Sequence, residues 1–261
     1  MNKIITLSLS SVAALFLTTG CLYASEHMEH KEGESHHEVH WGYKGEAGPS
    51  HWGELKKEYH LCSTGKMQTP INIVATEDIA LAPLEFNYHT ASTDVINNGH
   101  TVQINIANGS SVTIEGKEYS LKQFHFHTPS ENNINGHKYA LEAHFVHAAK
   151  DGSLAVVAVM FEEGKENPIL AKIWNKFPLK ENHKVALALN SKDIQAIMPS
   201  NKEYYKFTGS LTTPPCTEGV KWNVFKTSMS ISKEQVKQFF DTFGHSNNRP
   251  IQETNGRTIA Q

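Results

Sequence analysis

The sequence lacks any strong excess of charge of one sign. Its 24 Lys and Arg residues nearly balance its 27 Asp and Glu residues, which leaves a formal net charge of −3. Such a balance gives no reason to expect nucleic acid or an anionic membrane as a partner. The 261 residues also lack an internal repeat and an obvious linker, so we expect one large domain with a sizeable core.

Long apolar runs are scarce, and the one candidate lies at the start of the chain. There "IITLSLSSVAALFLTTGCLYA" follows Lys3, but Ser and Thr interrupt it too often for a membrane span. We predict a secretory signal peptide over residues 1–24, cleaved after Ala24, and a periplasmic or secreted mature domain that does not insert into a membrane. Leu22 is larger than the residue usually preferred two places before the cleavage site. The alternative is that "TTGC" is a poor lipoprotein motif, in which Cys21 carries lipid and anchors the protein.

Cysteine is rare, with three residues in the whole chain. Once Cys21 is removed or lipidated, Cys62 and Cys216 remain as an even pair in an exported protein, where disulfides persist. We predict that these two are bonded, and such a bridge typically stabilises a fold by about 2–5 kcal/mol. Two buried free thiols are the alternative.

Residues that could form a core are almost absent from "EHMEHKEGESHHEVH", residues 26–40. We predict that residues 25–40, which we name the histidine-rich segment, are disordered, and that the folded domain covers residues 41–261. The histidines of this segment suggest an alternative, namely a metal-binding arm in a periplasmic metal-buffering protein.

Apolar and polar residues alternate through most of the remaining chain. The segments with this pattern are "DVINNGHTVQINIA", "SVTIEGKEYSLKQFHFH", "KYALEAHFVHAA" and "SLAVVAVMFE". Period two predicts strands, and Asn-Gly and Asp-Gly dipeptides mark turns. Helices are predicted from Asn167-Pro168 onward and from Ser232 to about Phe243, where capping residues precede an apolar stripe. The sum is a mostly β fold with short helices (α+β).

The stretch "QFHFHTPSE" places two histidines two residues apart among phenylalanines. On a strand such residues share a face, so Gln123, His125 and His127 point one way while the phenylalanines enter a core. His144 is a third candidate, provided that residues 121–128 and 138–148 pair as a hairpin. Three neutral imidazoles without a fourth protein ligand are typical of a catalytic zinc site, which keeps one position for water. Surface histidines on a half-exposed strand are the alternative.

Acceptors for the second ring nitrogens are available near these histidines. A ligand histidine normally donates its other N–H to a fixed group, and Glu142 suits His144 while Gln123 suits His125. The apolar neighbours of Glu142 argue that it is partly buried, where an unpaired carboxylate would be costly. His147 has the opposite parity to His144, so we assign it to packing or hydrogen bonding.

Several longer motifs resemble one known family. They are "WGYKGEAGPSHW", "QTPINI", "NNGHTVQ", "FHFHTPSE", "ALEAHFVH", "GSLTTPPCTEGVKW" and "NNRPIQ". In this order, from about Trp41 to about Gln252, they are similar to the α-class carbonic anhydrases, particularly exported bacterial members. The resemblance implies a single domain around a large, mostly antiparallel twisted sheet of about ten strands, with Zn²⁺ at the base of a conical cavity.

The resemblance also implies the reaction, namely reversible hydration of carbon dioxide to bicarbonate and a proton by attack of zinc hydroxide. Position by position it gives zinc ligands His125, His127 and His144, second partners Gln123 and Glu142, an orienting pair Thr212 and Glu131, a proton shuttle His100, and a substrate pocket of Val146, Val156, Leu211, Trp222 and Thr213. The pair Cys62 and Cys216 matches a disulfide found in many exported members. Gln103 departs from the asparagine of many animal members.

Two further alternatives follow from the chemistry and the resemblance. The same reactive oxygen could attack an activated ester, so a side esterase activity is possible. A non-catalytic binding protein that kept the fold is a rival, but such relatives lose zinc ligands, whereas His125, His127, His144, Thr212 and Glu131 are all present. Similarity to bacterial members also suggests a homodimer.

Overall fold

A computed structural model of the protein describes residues 40–261. The predicted signal peptide at residues 1–24, the lipid-anchor alternative at Cys21 and the histidine-rich segment up to residue 39 lie outside the described residues. Within residues 40–261, none of the helices combines the length and apolar character needed to span a bilayer.

The described residues contain fourteen strands. They are β1 Asn72–Ile73, β2 Glu85–Asn87, β3 Ser92–Asn97, β4 Val102–Ile106, β5 Ser111–Ile114, β6 Lys117–His127, β7 Asn133–Ile134, β8 His137–Lys138, β9 Leu141–Ala148, β10 Leu154–Glu163, β11 His183–Ala186, β12 Tyr204–Ser210, β13 Glu218–Phe225 and β14 Met229–Ile231. Alternating apolar and β-branched residues favour this state, because one side chain in two can be buried against a core.

Eleven of these strands form one sheet, and eight of them follow the order β11-β3-β4-β6-β9-β10-β13-β12. Most neighbours are antiparallel, whereas β10 pairs in parallel with β13 and β14. The prediction of a mostly β fold around a large, mostly antiparallel sheet of about ten strands is therefore confirmed. One detail differs, because the connection from β6 to β9 contains β7 and β8, which form a separate three-stranded sheet with β1.

Helices are short and lie between strands. They are α1 Trp52–Leu55, α2 Leu61–Thr64, α3 Pro168–Trp174, α4 Ser191–Gln195 and α5 Lys233–Phe243, with 3₁₀ turns at Gly45–Ala47 and Lys57–Tyr59. Both predicted helices are confirmed. The Asn167 side chain accepts two backbone N–H groups at the start of α3, and Ser232 and Gln235 form a capping box at the start of α5, so orphan N–H groups are satisfied at both starts.

The two faces of β6 serve different purposes. Phe124 and Phe126 are fully buried in the larger apolar core, while the opposite face carries His125 and His127. The disulfide predicted between Cys62 and Cys216 is present, and it packs with Trp52 in a small aromatic cluster. The larger core therefore anchors β6 through its phenylalanine face. The disulfide links α2 to the connection between β12 and β13.

Candidate metal centre

Strands β6 and β9 bring three histidines together. In their antiparallel register His125 lies opposite His144, and His127 lies opposite Glu142. One nitrogen from each of His125, His127 and His144 lies within 4.8 Å of the others. The pairing of these two strands and the shared face predicted from the sequence are therefore confirmed, and the cluster has the composition of a three-histidine zinc site.

The second nitrogen of each ring is held by the protein. His125 Nδ1 lies 2.8 Å from Gln123 Oε1, and His127 Nδ1 lies 2.7 Å from the carbonyl oxygen of Asn247. Because these oxygens can only accept, both Nδ1 atoms carry the hydrogen and both Nε2 atoms present a lone pair. His127 Nε2 is buried and has no hydrogen-bond partner among residues 40–261, as expected of an atom that fits a metal ion.

His144 is held the other way round. Its Nε2 lies 2.9 Å from Glu142 Oε1, at hydrogen-bond distance but off the straight line that a good hydrogen bond needs. An Nε2–H donor leaves Nδ1 with the lone pair that faces the other two histidines. The three residues therefore offer two Nε2 atoms and one Nδ1 atom, and each ring orientation is set by an acceptor behind it.

The charge state of the rings suits a metal ligand. Burial lowers the pKa of His127 to about 4, against the opposing effect of its hydrogen bond to Asn247. Burial, followed by the charge of neighbouring imidazoles, holds the pKa of His125 and of His144 well below 6.5. At neutral pH all three are neutral, and neutral imidazole is the form that binds zinc.

Glu142 is a fully buried carboxylate with a complete set of donors. Its Oε2 accepts the backbone N–H groups of Glu131 and Asn132, each at 2.8 Å, and its Oε1 accepts the Asn132 side-chain amide at 2.8 Å. Burial raises the pKa of Glu142, while the bonds from Asn132 oppose that rise. The predicted burial of Glu142 is confirmed, and Asn132 is a contributor that the sequence reasoning missed.

Glu131 is also fully buried and lies beside the histidines. Its Oε1 accepts the backbone N–H of Arg249 at 2.8 Å, and its Oε2 lies 3.4 Å from His127 Nε2. Burial raises the pKa of Glu131 to about 8, against the opposing effects of the Arg249 N–H and of the Thr212 hydroxyl. Within residues 40–261 Oε2 has no hydrogen bond of good geometry, so the nearby Thr212 hydroxyl is the donor suited to it.

A cavity of about 130 Å³ opens beside the histidine cluster. Among its lining residues are His125 and His127 of the cluster, together with Gln123, Thr213 and Gln103. Gln103 stands where many animal members have asparagine. Its side-chain amide donates to the Asn105 side chain at 2.7 Å, so the larger polar group has a hydrogen-bond partner.

The predicted apolar pocket residues gather next to His144. Val156 and Trp222 belong to the second apolar cluster, and Val146 and Leu211 pack against it while remaining half-buried. The Trp222 ring meets the His144 ring edge to face, with centroids 4.9 Å apart. An apolar wall therefore adjoins the histidine cluster at His144.

His100 lines the same cavity but lies outside the three-histidine cluster. Its ring stacks on Trp41, with centroids 3.7 Å apart and planes 10° apart. Burial, and then the charges of His40 and His245, lower the pKa of His100 to about 4. In this arrangement the ring is neutral at pH 7, and its pKa lies below the value of about 6.5 that an unperturbed imidazole has.

Two residues after α5 complete the site and were missed by the sequence reasoning. Asn247 supplies the carbonyl that holds His127, and its side-chain amide donates to the carbonyls of His100 and Phe126. Arg249 supplies the N–H that holds Glu131. The motif "NNRPIQ" was the available signal, but backbone donors and acceptors leave no residue signature of their own.

Comparison with known proteins agrees with this geometry. The family model for eukaryotic-type carbonic anhydrase matches residues 47–261. The carbonic anhydrase of Pectobacterium atrosepticum is 45% identical over 225 residues, which cover 85% of this chain and 90% of the relative. The carbonic anhydrase of Neisseria gonorrhoeae is 43% identical over 251 residues, covering 95% of each chain.

A solved structure gives the same result. The α-carbonic anhydrase of Thermovibrio ammonificans, in complex with the inhibitor sulfanilamide, superimposes with a TM-score of 0.83 at 44% identity. The match covers 85% of this chain and 99% of that chain. Sequence and fold therefore point to the same family.

Proposed function

Because the chain belongs to the α-class, or eukaryotic-type, carbonic anhydrases, we propose that it hydrates carbon dioxide reversibly with Zn²⁺ held by His125, His127 and His144. The products are bicarbonate and a proton. The observation that carries the proposal is the convergence of three ring nitrogens within 4.8 Å, each on a ring whose other nitrogen lies close to an oxygen acceptor. α-Carbonic anhydrases are zinc enzymes, and the donor set fits that ion.

Bound zinc would supply a Lewis acid that lowers the pKa of water to about 7, a value that carbonic anhydrases themselves exemplify. The contribution of the protein is charge and shape. Three neutral imidazoles leave the double charge of a cation undiluted, and the acceptors behind them keep the rings from turning away. Glu142 is central to this, because its remaining lone pairs are filled by backbone and amide donors.

The pair Glu131 and Thr212 orients the attacking oxygen. A threonine hydroxyl has one hydrogen to donate, so a Thr212 that donates to the Glu131 carboxylate can only accept from the oxygen that attacks the substrate. This leaves a lone pair of that oxygen free to face carbon dioxide. A cation held by His127 favours the ionised carboxylate that this arrangement needs, because opposite charge opposes the effect of burial.

Carbon dioxide is apolar and carries no group for an ion pair. The apolar wall of Val146, Val156, Leu211 and Trp222 therefore suits it, with Thr213 at the edge of the cavity. An activated ester has a carbonyl that the same oxygen can attack, and a weak esterase activity belongs to the proposal as a side reaction.

His100 carries the proton from the cavity to solvent. It lines the cavity yet does not belong to the metal cluster, so water must connect the two. Burial, followed by the charges of His40 and His245, lowers its pKa in this position, and a ring that turns toward solvent regains a value nearer 6.5, which suits proton exchange near neutral pH.

Export belongs to the same proposal. The Cys62–Cys216 disulfide fits an oxidising compartment, and we propose a signal peptide at residues 1–24 with a periplasmic or secreted product. A homodimer is proposed from the resemblance alone, and sedimentation of the mature protein tests it.

The decisive experiment is stopped-flow measurement of carbon dioxide hydration before and after removal of zinc. We expect activity in the zinc-loaded protein, loss of activity after chelation, and recovery when zinc is returned. The protein should stay folded throughout, as followed by circular dichroism. Hydration by the zinc-free folded protein, or inactivity with one zinc per chain, would contradict the proposal.

A further inference from the structure

Arg249 is a buried arginine with an unusual set of partners. It is 1% exposed, and its guanidinium donates to Gln68 Oε1 at 2.8 Å, to the Thr69 carbonyl at 2.9 Å and to the Cys62 carbonyl at 2.8 Å. All three acceptors are neutral. The guanidinium therefore serves as a rigid fork that fixes main-chain positions, since its planar donors point in set directions.

Fixing the side chain of Arg249 also fixes its backbone. The same residue donates its N–H to Glu131 Oε1 at 2.8 Å, so one end of the residue contacts the N-terminal segment and the other contacts the site. Trp52 lies under the guanidinium, with the ring centroid 5.7 Å from Cζ. A shift of the backbone at this point would break several hydrogen bonds at once.

Gln68 links Arg249 to the turn that contains Cys216. Its Oε1 accepts from Arg249, and its Nε2 donates to the carbonyl of Cys216 at 3.0 Å. Cys216 lies four residues after Thr212, and its N–H donates to the Thr213 carbonyl at 2.8 Å. One glutamine amide thus contacts both the residue that holds Glu131 and the turn that carries Thr212.

We propose that Arg249 is a positioning residue for the pair Glu131 and Thr212, acting through its guanidinium and Gln68. This inference rests on the proposed function, because it assigns the pair a task in carbon dioxide hydration. Arg249 does not touch the reacting atoms. It sets the distance and direction of the N–H that holds Glu131, and thereby the acceptor available to the Thr212 hydroxyl.

Arg257 provides a matched control. It is 7% exposed, and its guanidinium also donates to backbone carbonyls, including that of Gln68 at 2.7 Å. Burial lowers the pKa of both arginines. Among the hydrogen bonds within residues 40–261, none joins Arg257 to Glu131 or to the side-chain amide of Gln68, so a variant of Arg257 loses a buried guanidinium while the side-chain contacts of Gln68 and the N–H that holds Glu131 stay in place.

The test compares Arg249→Gln, Arg249→Lys and Arg257→Gln in the zinc-loaded protein, below the unfolding temperature of each. We expect kcat to fall about 10- to 100-fold in Arg249→Gln with KM nearly unchanged, the size of one lost hydrogen bond to a charged group. Arg249→Lys should recover part of the loss, because an ammonium can still reach some of the acceptors. Arg257→Gln should stay within about threefold of the parent protein.

A second readout needs no activity. Hydrogen exchange of the residue 249 amide should be faster in Arg249→Gln than in Arg257→Gln, relative to the global unfolding rate of each variant. Equal kcat in the two glutamine variants at equal zinc content, or an unchanged residue 249 amide, would overturn the inference. If Arg249→Gln does not fold, Arg249→Lys decides by the same comparison. An inactive parent protein would instead reject the proposed function.

Discussion

Strand β9 carries two buried histidines, His144 and His147, on opposite faces of the sheet. His144 is 2% exposed and His147 is fully buried, and burial lowers the pKa of both, to about 3 for His147. Their partners differ. One ring nitrogen of His144 lies within 4.8 Å of nitrogens of two other imidazoles, whereas His147 Nε2 lies 2.6 Å from the Tyr88 hydroxyl.

The difference shows that burial and a lowered pKa do not by themselves identify a ligand. His147 Nδ1 also lacks a hydrogen-bond partner among residues 40–261, so a single orphan nitrogen is not sufficient either. What separates the two is convergence, because His144 shares its space with His125 and His127. The predicted assignment of His147 to packing or hydrogen bonding is confirmed by its contact with Tyr88.

The largest effect is expected from replacing each of these histidines with alanine. His144→Ala should lose bound zinc and hydration activity, by more than the roughly 10–100-fold affinity loss typical of outer partners. His147→Ala should keep its zinc and lose about 1–3 kcal/mol of unfolding free energy, because the buried Tyr88 hydroxyl loses its partner. Zinc content by mass spectrometry and urea unfolding measure the two effects. Retention of zinc by His144→Ala would contradict the claim that His144, unlike His147, is a zinc ligand.

A smaller effect is expected when the residue behind His144 changes. Glu142→Gln keeps the size of the side chain but removes the charge that accepts the His144 N–H. Zinc affinity should fall about 10- to 100-fold, measured by competition with a chelator of known affinity. Gln195→Glu, a change next to Tyr88 on the His147 side where Gln195 donates to the Tyr88 carbonyl, is the control and should leave zinc affinity unchanged. Equal affinity in Glu142→Gln and the parent protein would contradict the role given to Glu142.

His100 is a third kind of histidine, because it lines the cavity but lies outside the three-histidine cluster. His100→Ala should retain full zinc and lose turnover at low buffer concentration by roughly 10- to 100-fold, at or below the range of general acid–base catalysis. Added imidazole should restore part of the rate, because it can accept the same proton. Stopped-flow assays across buffer concentrations measure this. An unchanged rate at low buffer, with no response to imidazole, would reject the shuttle.

Local signals explain which parts of this fold could be predicted. Period-two alternation located β6 and β9 and gave the faces of His125 and His144, and capping residues located α3 and α5, because these patterns act over a few residues. The two-residue strands β7 and β8 and the parallel pairing of β10 with β13 depend on distant partners, which alternation does not encode.

The same limit applies to the site. The three histidines and Glu142 share strand faces, so their grouping could be predicted. The acceptor for His127 is a backbone carbonyl 120 residues away at Asn247, and the donor for Glu131 is a backbone N–H 118 residues away. Every residue carries a backbone carbonyl and every residue except proline carries a backbone N–H, so no residue type marks these contacts in the sequence.

The smallest expected effect is on the pH dependence of the unfolding free energy, to which His147 contributes. Its pKa is about 3 in the folded protein, mainly through burial, and about 6.5 in the unfolded chain. Because the folded value is lower, its contribution to stability is complete above pH 6.5 and declines as the pH falls toward 3. His147→Gln can still accept the Tyr88 hydroxyl but does not titrate. Between pH 7 and pH 5 it should therefore lose roughly 1–2 kcal/mol less unfolding free energy than the parent protein. Urea unfolding at both pH values measures this, and a double difference between the proteins removes the common effect of zinc release. Parallel losses in the two proteins would show that His147 is protonated as readily in the fold as in the unfolded chain.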